Sequence, residues 1–175
     1  GVTAIEAEAF AHCYSLKSIV IPSSVVEIGE GAFGRCDSLT SVTLLNGACK
    51  IGRDAFYGVS PTTLVASVVP NGLDTKKLTK WIIPEGTTSI VGEKSLNKDP
   101  FHVSRSYNKV EEVQIPSSVQ QIGPQAFSGF SALKSIVIPE GVTSIGDEAF
   151  DDCSSLTSIT IPSSVTSIGE SAFSG

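Results

Sequence analysis

The sequence predicts a repeat solenoid of the α/β class: a right-handed arc of about 23 residues per turn, with short parallel strands on the concave face and short helical turns opposite. Phenylalanines recur at a fixed interval, since Phe10, Phe33 and Phe56 stand 23 apart and Phe127, Phe150 and Phe173 repeat that spacing. Around them four segments align without gaps, starting at Leu16, Leu39, Leu133 and Leu156. Within each segment the apolar period changes from two to roughly helical. A parallel β-helix is the alternative stacking, and the Ala-Phe spacing argues against it.

The first part of each turn, as in Leu16-Lys-Ser-Ile-Val-Ile-Pro22, is rich in β-branched residues and places Ile19 and Ile21 on one face with Val20 on the other. Pro22 has no N–H to give to a ladder, so the strand closes there. Seven such strands are expected, ending at Ile21, Leu44, Val69, Ile83, Ile115, Ile138 and Ile161. Stacked in parallel at about 4.8 Å, they make a sheet roughly 30 Å across.

Ser-Ser or Glu-Gly after the proline supplies turn chemistry, as in Pro84-Glu85-Gly86. Val25 and Ile28 then point inward on the return path. From Gly29 onward, Ile28, Ala32, Phe33 and Cys36 fall on one face of a short helix. Glu30, Asp147, Glu148 and Glu170 stand in its first turn, where a helix dipole favours acids. So short a helix needs neighbouring coils to cover its Phe.

The strand pattern L-x-x-I-x-I, the proline after it and the I-G-x-x-A-F-x-x-C ending resemble the BspA-like, or Treponema-type (TpLRR), leucine-rich repeat, known from surface proteins of oral and gut bacteria and of some parasitic protists. The resemblance is close over residues 2–56 and 110–175 and loose between them. It implies a leucine-rich-repeat arc, an extracellular or cell-surface location, and adhesion to host proteins and cells. Three departures stand out: Leu45 replaces the strand-closing proline, residues 57–83 hold a weak strand (Leu64 to Pro70) and a truncated turn, and about eight extra residues lie within NKDPFHVSRSYNK after Leu96 has taken a Phe position. Insertions in repeats often sit at binding surfaces; degeneration of one repeat is the plainer account.

Composition narrows the function. A net charge of -6 and a pI near 4.8 argue against nucleic acid and anionic membrane surfaces, both of which reward excess Lys and Arg. No apolar run approaches the length of a spanning helix, so direct membrane insertion by this segment is not expected. Four cysteines, Cys13, Cys36, Cys49 and Cys153, are too few for a disulfide scaffold. Cys13, Cys36 and Cys153 share a slot that Val59 and Phe130 fill elsewhere, which marks it as apolar and buried. Cys13 and Cys36 would be neighbours in the stack, but ladder side chains run parallel rather than toward each other. Cys49 is off register and reads as a free thiol. His12 lies in a variable position and reads as solvent-facing.

No zinc spacing, nucleophile elbow or phosphate loop is present, so the sequence predicts no catalytic, metal or cofactor site and no enzyme. Asp151-Asp152 and Glu111-Glu112 read as solvated acid pairs. What remains is a binding module for a protein or a glycan, with a scaffold inside an assembly or the targeting arm of an enzyme as alternatives.

The outward strand positions form a small, hydroxyl-rich and nearly uncharged face: Thr40 and Thr43, Val65, Ala66 and Val68, Thr157 and Thr160, among others. A flat surface of this kind suits a macromolecule better than a buried small ligand. Recognition residues concentrate in the irregular middle: Lys80, Phe101, His102, Arg105, Tyr107, Glu111, Glu112 and Gln114. Phe101, His102, Arg105 and Tyr107 belong to the insertion and are expected to point outward, whereas Trp81 occupies an inward strand position and reads as core. Residues 1–175 are expected to form one array, regular at 2–56 and 110–175 and irregular at 57–109, cut from a longer chain because neither end has a polar capping turn.

Overall fold

Period-two segments become strands that pair in parallel, coil upon coil, in a computed structural model that describes residues 1–67, 69–70, 72–90 and 107–175. The described residues fall into two units, Gly1–Leu78 and Thr79–Gly175. The first carries β1 (Ala4–Ile5), β2 (Ser18–Ile21), β3 (Glu27–Ile28), β4 (Ser41–Leu44), β5 (Lys50–Ile51) and β6 (Thr63–Val65), followed by a 3-10 turn at Thr75–Lys77. The second carries β7 (Lys80–Ile82), β8 (Ser89–Ile90), β9 (Glu112–Gln114), β10 (Gln121–Ile122), β11 (Ser135–Val137), β12 (Ser144–Ile145), β13 (Ser158–Thr160) and β14 (Ser167–Ile168).

In the first unit β2, β4 and β6 form one parallel ladder, with Ile19 opposite Val42 and Val42 opposite Leu64. In the second, β7 pairs with β9 and β11 with β13, so that Trp81 meets Val113 and Ile136 meets Ile159. The inward side chains, Val42, Leu44, Leu64, Trp81, Val113 and Ile136 among them, are buried, and each removes apolar surface worth about 1.5–3 kcal/mol. Where Leu45 replaces the closing proline, its N–H continues the ladder to the carbonyl of Ile21 at 3.1 Å.

A second ladder runs along the return path. β1, β3 and β5 pair in one unit and β8, β10, β12 and β14 in the other, each offering two residues per coil. Val25 and Ile28 are buried there, as expected. That Glu27 and Ile28 also bridge as a strand was not expected, because two residues are too few to display a period.

The third strand corrects the expected register. It is Thr63–Val65 rather than a strand ending at Val69, and Ala66, expected outward, is buried; Val68 lies outside the described residues. Pro61 is buried in the slot that Leu39 fills one coil earlier, so the coil starts three residues before the Leu64 that suggested it. The residues after the strand pack as a turn, where the N–H of Leu73 donates to Pro70 and Asp74 caps the 3-10 turn by accepting from Lys76 N at 3.0 Å. Burial acts to raise the Asp74 pKa, but that bond, the Ser60 hydroxyl at 2.7 Å and the charges of Lys76 and Lys77 outweigh it and hold the carboxyl below its ordinary value.

Opposite the strands, the segments expected as short helices are successive hydrogen-bonded turns. Amides alternate in purpose. Ala9, Ala11 and Cys13 donate three residues back within their own coil, whereas Glu8, Phe10 and His12 donate to Glu30, Ala32 and Gly34 of the next coil. The same alternation holds around Phe33 and Phe127. Each turn takes two residues into the left-handed region, such as Glu8 and His12, Gly31 and Arg35, Glu148 and Asp152. An α-helix cannot accommodate either feature, so the acids there meet no helix dipole. Asp147 instead accepts the backbone N–H of Glu170, one coil on, at 2.8 Å.

Phenylalanines stack behind these turns. Phe10, Phe33 and Phe56 lie 5.2 and 5.1 Å apart, and Phe127, Phe150 and Phe173 lie 5.2 Å apart at both steps, all near-parallel. A thiol closes each of two coils: Cys36 donates to the carbonyl of Phe10 and Cys153 to that of Phe127. All four cysteines are free; Cys36 and Cys153 are buried, Cys13 and Cys49 half-buried.

Burial pushes the Cys153 thiol from 9.0 up to about 11. The folded state therefore holds this proton at pH values where the unfolded chain has released it. Stability from the neutral thiol is complete below pH 9 and is lost as pH rises toward about 11. Urea melts across that window should show a fall in midpoint that Cys153→Val reduces without abolishing, since burial also raises the Cys36 and Cys49 thiols; Val59 already fills the same slot fully buried. An unchanged alkaline fall in the variant would contradict this assignment.

Candidate functional site

Outward strand residues make up the candidate face, and each unit presents its own part. In the first unit the rows run Ser18, Ser41, Thr63 and Val20, Thr43, Val65 across three coils. Thr40 is exposed, but its hydroxyl is committed to the neighbouring coil: it donates to Lys17 O at 3.2 Å, and Thr62 donates in turn to Thr40 O at 3.3 Å. These hydroxyls tie coils together first and face solvent second. Thr43 is half-buried in β4.

In the second unit β7 and β9 bring Lys80, Glu112 and Gln114 together. Lys80 and Glu112 are register partners, as are Ile82 and Gln114. Lys80 Nζ stands 2.8 Å from Glu112 Oε1, and Gln114 Nε2 donates to that oxygen at 2.6 Å. The Lys80 hydrogen bond, then that of Gln114, hold the Glu112 carboxyl below its ordinary pKa. Glu111 is exposed beside them, its backbone N–H bonded to Thr79 O at 2.9 Å. The result is a fixed acidic edge, oriented by a lysine and an amide, on a face otherwise built of hydroxyls and aliphatics. Beyond it lie exposed Val137 and its register partner Thr160, with Thr157 exposed just ahead of β13.

Tyr107 corrects the expectation that it points outward. It is half-buried, its ring 4.6 Å from Phe130 and 6.5 Å from Trp81, and it belongs to the core aromatics. Trp81 is buried as expected, contacting Phe127 and Phe130 as well. Phe101, His102 and Arg105 lie outside the described residues. Among the described residues the shifted carboxyls are Asp74 and Glu112, and a cap and an ion pair explain them. No helix among these residues is long and apolar enough to cross a membrane.

Comparison with known proteins places these features. The model of the BspA type leucine rich repeat region matches residues 3–91 and 94–175, in six copies. A leucine-rich repeat protein from Bacteroides ovatus is 28% identical over 99% of the chain, with a TM-score of 0.57. A leucine rich cell surface protein from Faecalibacterium prausnitzii is 33% identical over 91% of it, with a TM-score of 0.52. The T. pallidum leucine rich repeat protein is 27% identical over 96%, with a TM-score of 0.53. The chain spans 38%, 42% and 67% of those three proteins respectively. No curated protein matches the sequence.

Proposed function

The chain belongs to the BspA-type leucine-rich repeat family, and from that premise we propose that it is a non-enzymatic protein-binding module that serves adhesion at a cell surface. The observation that carries this is the Lys80–Glu112–Gln114 cluster, a charged and oriented feature set into a flat, hydroxyl-lined strand face. Repeated Ser and Thr rows are alike from coil to coil and offer a partner little to choose between. The acidic edge breaks that monotony, and charge arrangement of this kind gives an interface its register and selectivity. Glu111, Glu112, Gln114 and Lys80 are the residues we assign to contact, with Thr157 and Thr160 extending the same face. Thr40 and Thr43 present the equivalent strand surface of the first unit. The cell-surface description of the F. prausnitzii relative supports the location.

Plates coated with fibronectin, laminin and collagen test the proposal. The chain should bind at least one of them saturably, and Glu111→Lys combined with Glu112→Lys should weaken that binding about tenfold. The fold should survive, because an exposed ion pair contributes only about 0–1 kcal/mol. Absence of binding to all three proteins, or binding unmoved by the charge reversal, would overturn it.

A further inference from the structure

We propose that the turn side of the first unit carries a second binding site, a shallow groove that takes a neutral hexose or N-acetylhexosamine unit of a glycan. Its walls include Glu8, His12, Arg35, Asp54 and Tyr57. The Arg35 guanidinium lies over the Tyr57 ring, 5.7 Å from its centre, which holds the fork in place. His12 bonds through Nδ1 to the Tyr14 hydroxyl at 2.9 Å, and Tyr14 and Tyr57 are both more than half exposed. The groove therefore offers the exposed Tyr57 ring beside the side chains of Glu8, Arg35 and Asp54, with the His12 imidazole, tied to Tyr14, on its wall.

Neither carboxylate closes an ion pair with Arg35 among the described residues, so the guanidinium donors and the carboxylate acceptors alike are open to a ligand. That mixture selects the ligand. An anion would meet Glu8 and Asp54, and a cation would meet Arg35. A sugar hydroxyl both donates and accepts; vicinal pairs match a carboxylate or a guanidinium two bonds at a time, and the C–H face of the ring packs on an aromatic.

The repeat supplies its own control. Counted from the ladder phenylalanines, Glu8, His12, Arg35, Asp54 and Tyr57 correspond to Gln125, Gly129, Asp152, Ser171 and Ser174 in the second unit. Those coils make the same inter-coil hydrogen bonds without an aromatic or a cation at any of these positions. Packing does not require the groove side chains. Arg35 holds a left-handed backbone, φ 59°, in a slot that Gly58 and Gly129 fill in other coils and Asp152 fills at φ 55°, so glycine would serve there.

The test titrates the isotope-labelled full chain with glucose, galactose, mannose, N-acetylglucosamine and N-acetylgalactosamine, and separately with inorganic phosphate, following backbone amide shifts. At least one sugar should move amides within 8–14, 31–35 and 54–58 saturably. Arg35→Gly should weaken that binding about tenfold while melting no lower than the parent, because glycine suits the left-handed slot. Tyr57→Ser, which installs the residue type of the equivalent Ser174, should weaken it likewise, and Glu111→Lys with Glu112→Lys should leave it intact. The proposal is overturned if no sugar shifts these amides, if both groove variants bind as the parent does, or if phosphate moves the same amides more strongly than every sugar.

Discussion

Trp81→Ala should lower the stability of the second unit by about 3–5 kcal/mol, the cost of emptying a large aromatic site that neighbours cannot refill. Trp81 is 4% exposed and touches three other rings: Phe127 at 5.9 Å, Phe130 at 6.0 Å and Tyr107 at 6.5 Å. Two of these also stack on each other, Tyr107 and Phe130 at 4.6 Å, so the indole fills one corner of a four-ring cluster. Removing it exposes faces of all three partners. Trp81→Phe keeps a ring in contact and should recover at least half of the loss. Urea unfolding followed by far-UV circular dichroism reads the difference, since the substitution removes the chain's single Trp. A loss below about 1 kcal/mol for Trp81→Ala would match a surface residue and contradict the cluster.

Trp81 was legible in the sequence because period two sets its side chain inward between Lys80 and Ile82. Tyr107 was equally legible and was missed. It stands 23 residues before Phe130, in the slot that Cys36 and Val59 fill elsewhere, but grouping it with the insertion hid that register, and its stacking on Phe130 places it in the core. The third strand was misplaced for a related reason. Leu64 and Pro70 imitate the opening leucine and the closing proline, while the true opening residue is the buried Pro61, a type the pattern does not contain. The turn side was legible for burial and not for conformation. Ala32, Phe33 and Cys36 are all buried, as a helical face would be. Apolar spacing cannot distinguish a helix from successive turns whose amides alternate between their own coil and the next.

The strand-face cluster was within reach of the sequence, since Lys80, Glu112 and Gln114 occupy outward positions of strands that the repeat aligns. Their ion pair needed the structure, because register partners Lys80 and Glu112 are 32 residues apart rather than 23. The groove residues escaped notice although the same alignment places them, since positions flanking the ladder phenylalanines vary from coil to coil and look like solvent-facing filler. Aligned across coils in the way of the strands, those positions gather His12, Arg35 and Tyr57 on one side of the first unit.

Gly146→Ala should cost about 2–3 kcal/mol through contact alone, with no change in preferred backbone angles. Gly146 has no left-handed φ, so alanine could adopt its conformation. The obstacle is the preceding coil: a Cβ there would come 2.5 Å from Pro124 N, 2.7 Å from Gly123 C and 2.9 Å from Pro124 Cα. All three are backbone atoms, and the N–H of Gly146 bonds to Ile122 O at 2.7 Å, so relief requires parting the ladder. A Cβ on Gly29 would meet Ala7 N at 2.4 Å, and one on Gly52 would meet Glu30 N at 2.7 Å, which makes the Ile-Gly pair of these coils a spacing device rather than a flexible joint. Gly86 is the contrasting case, with φ 87° and nothing within 4 Å of where a Cβ would stand. Alanine there should cost about 1 kcal/mol from backbone strain, and asparagine, which tolerates left-handed angles, should recover part of it. Gly146→Asn should recover nothing, because any Cβ meets the same wall. Urea midpoints for the four variants separate the two causes, and a Gly146→Ala loss no larger than that of Gly86→Ala would mean the coils are not in this backbone contact.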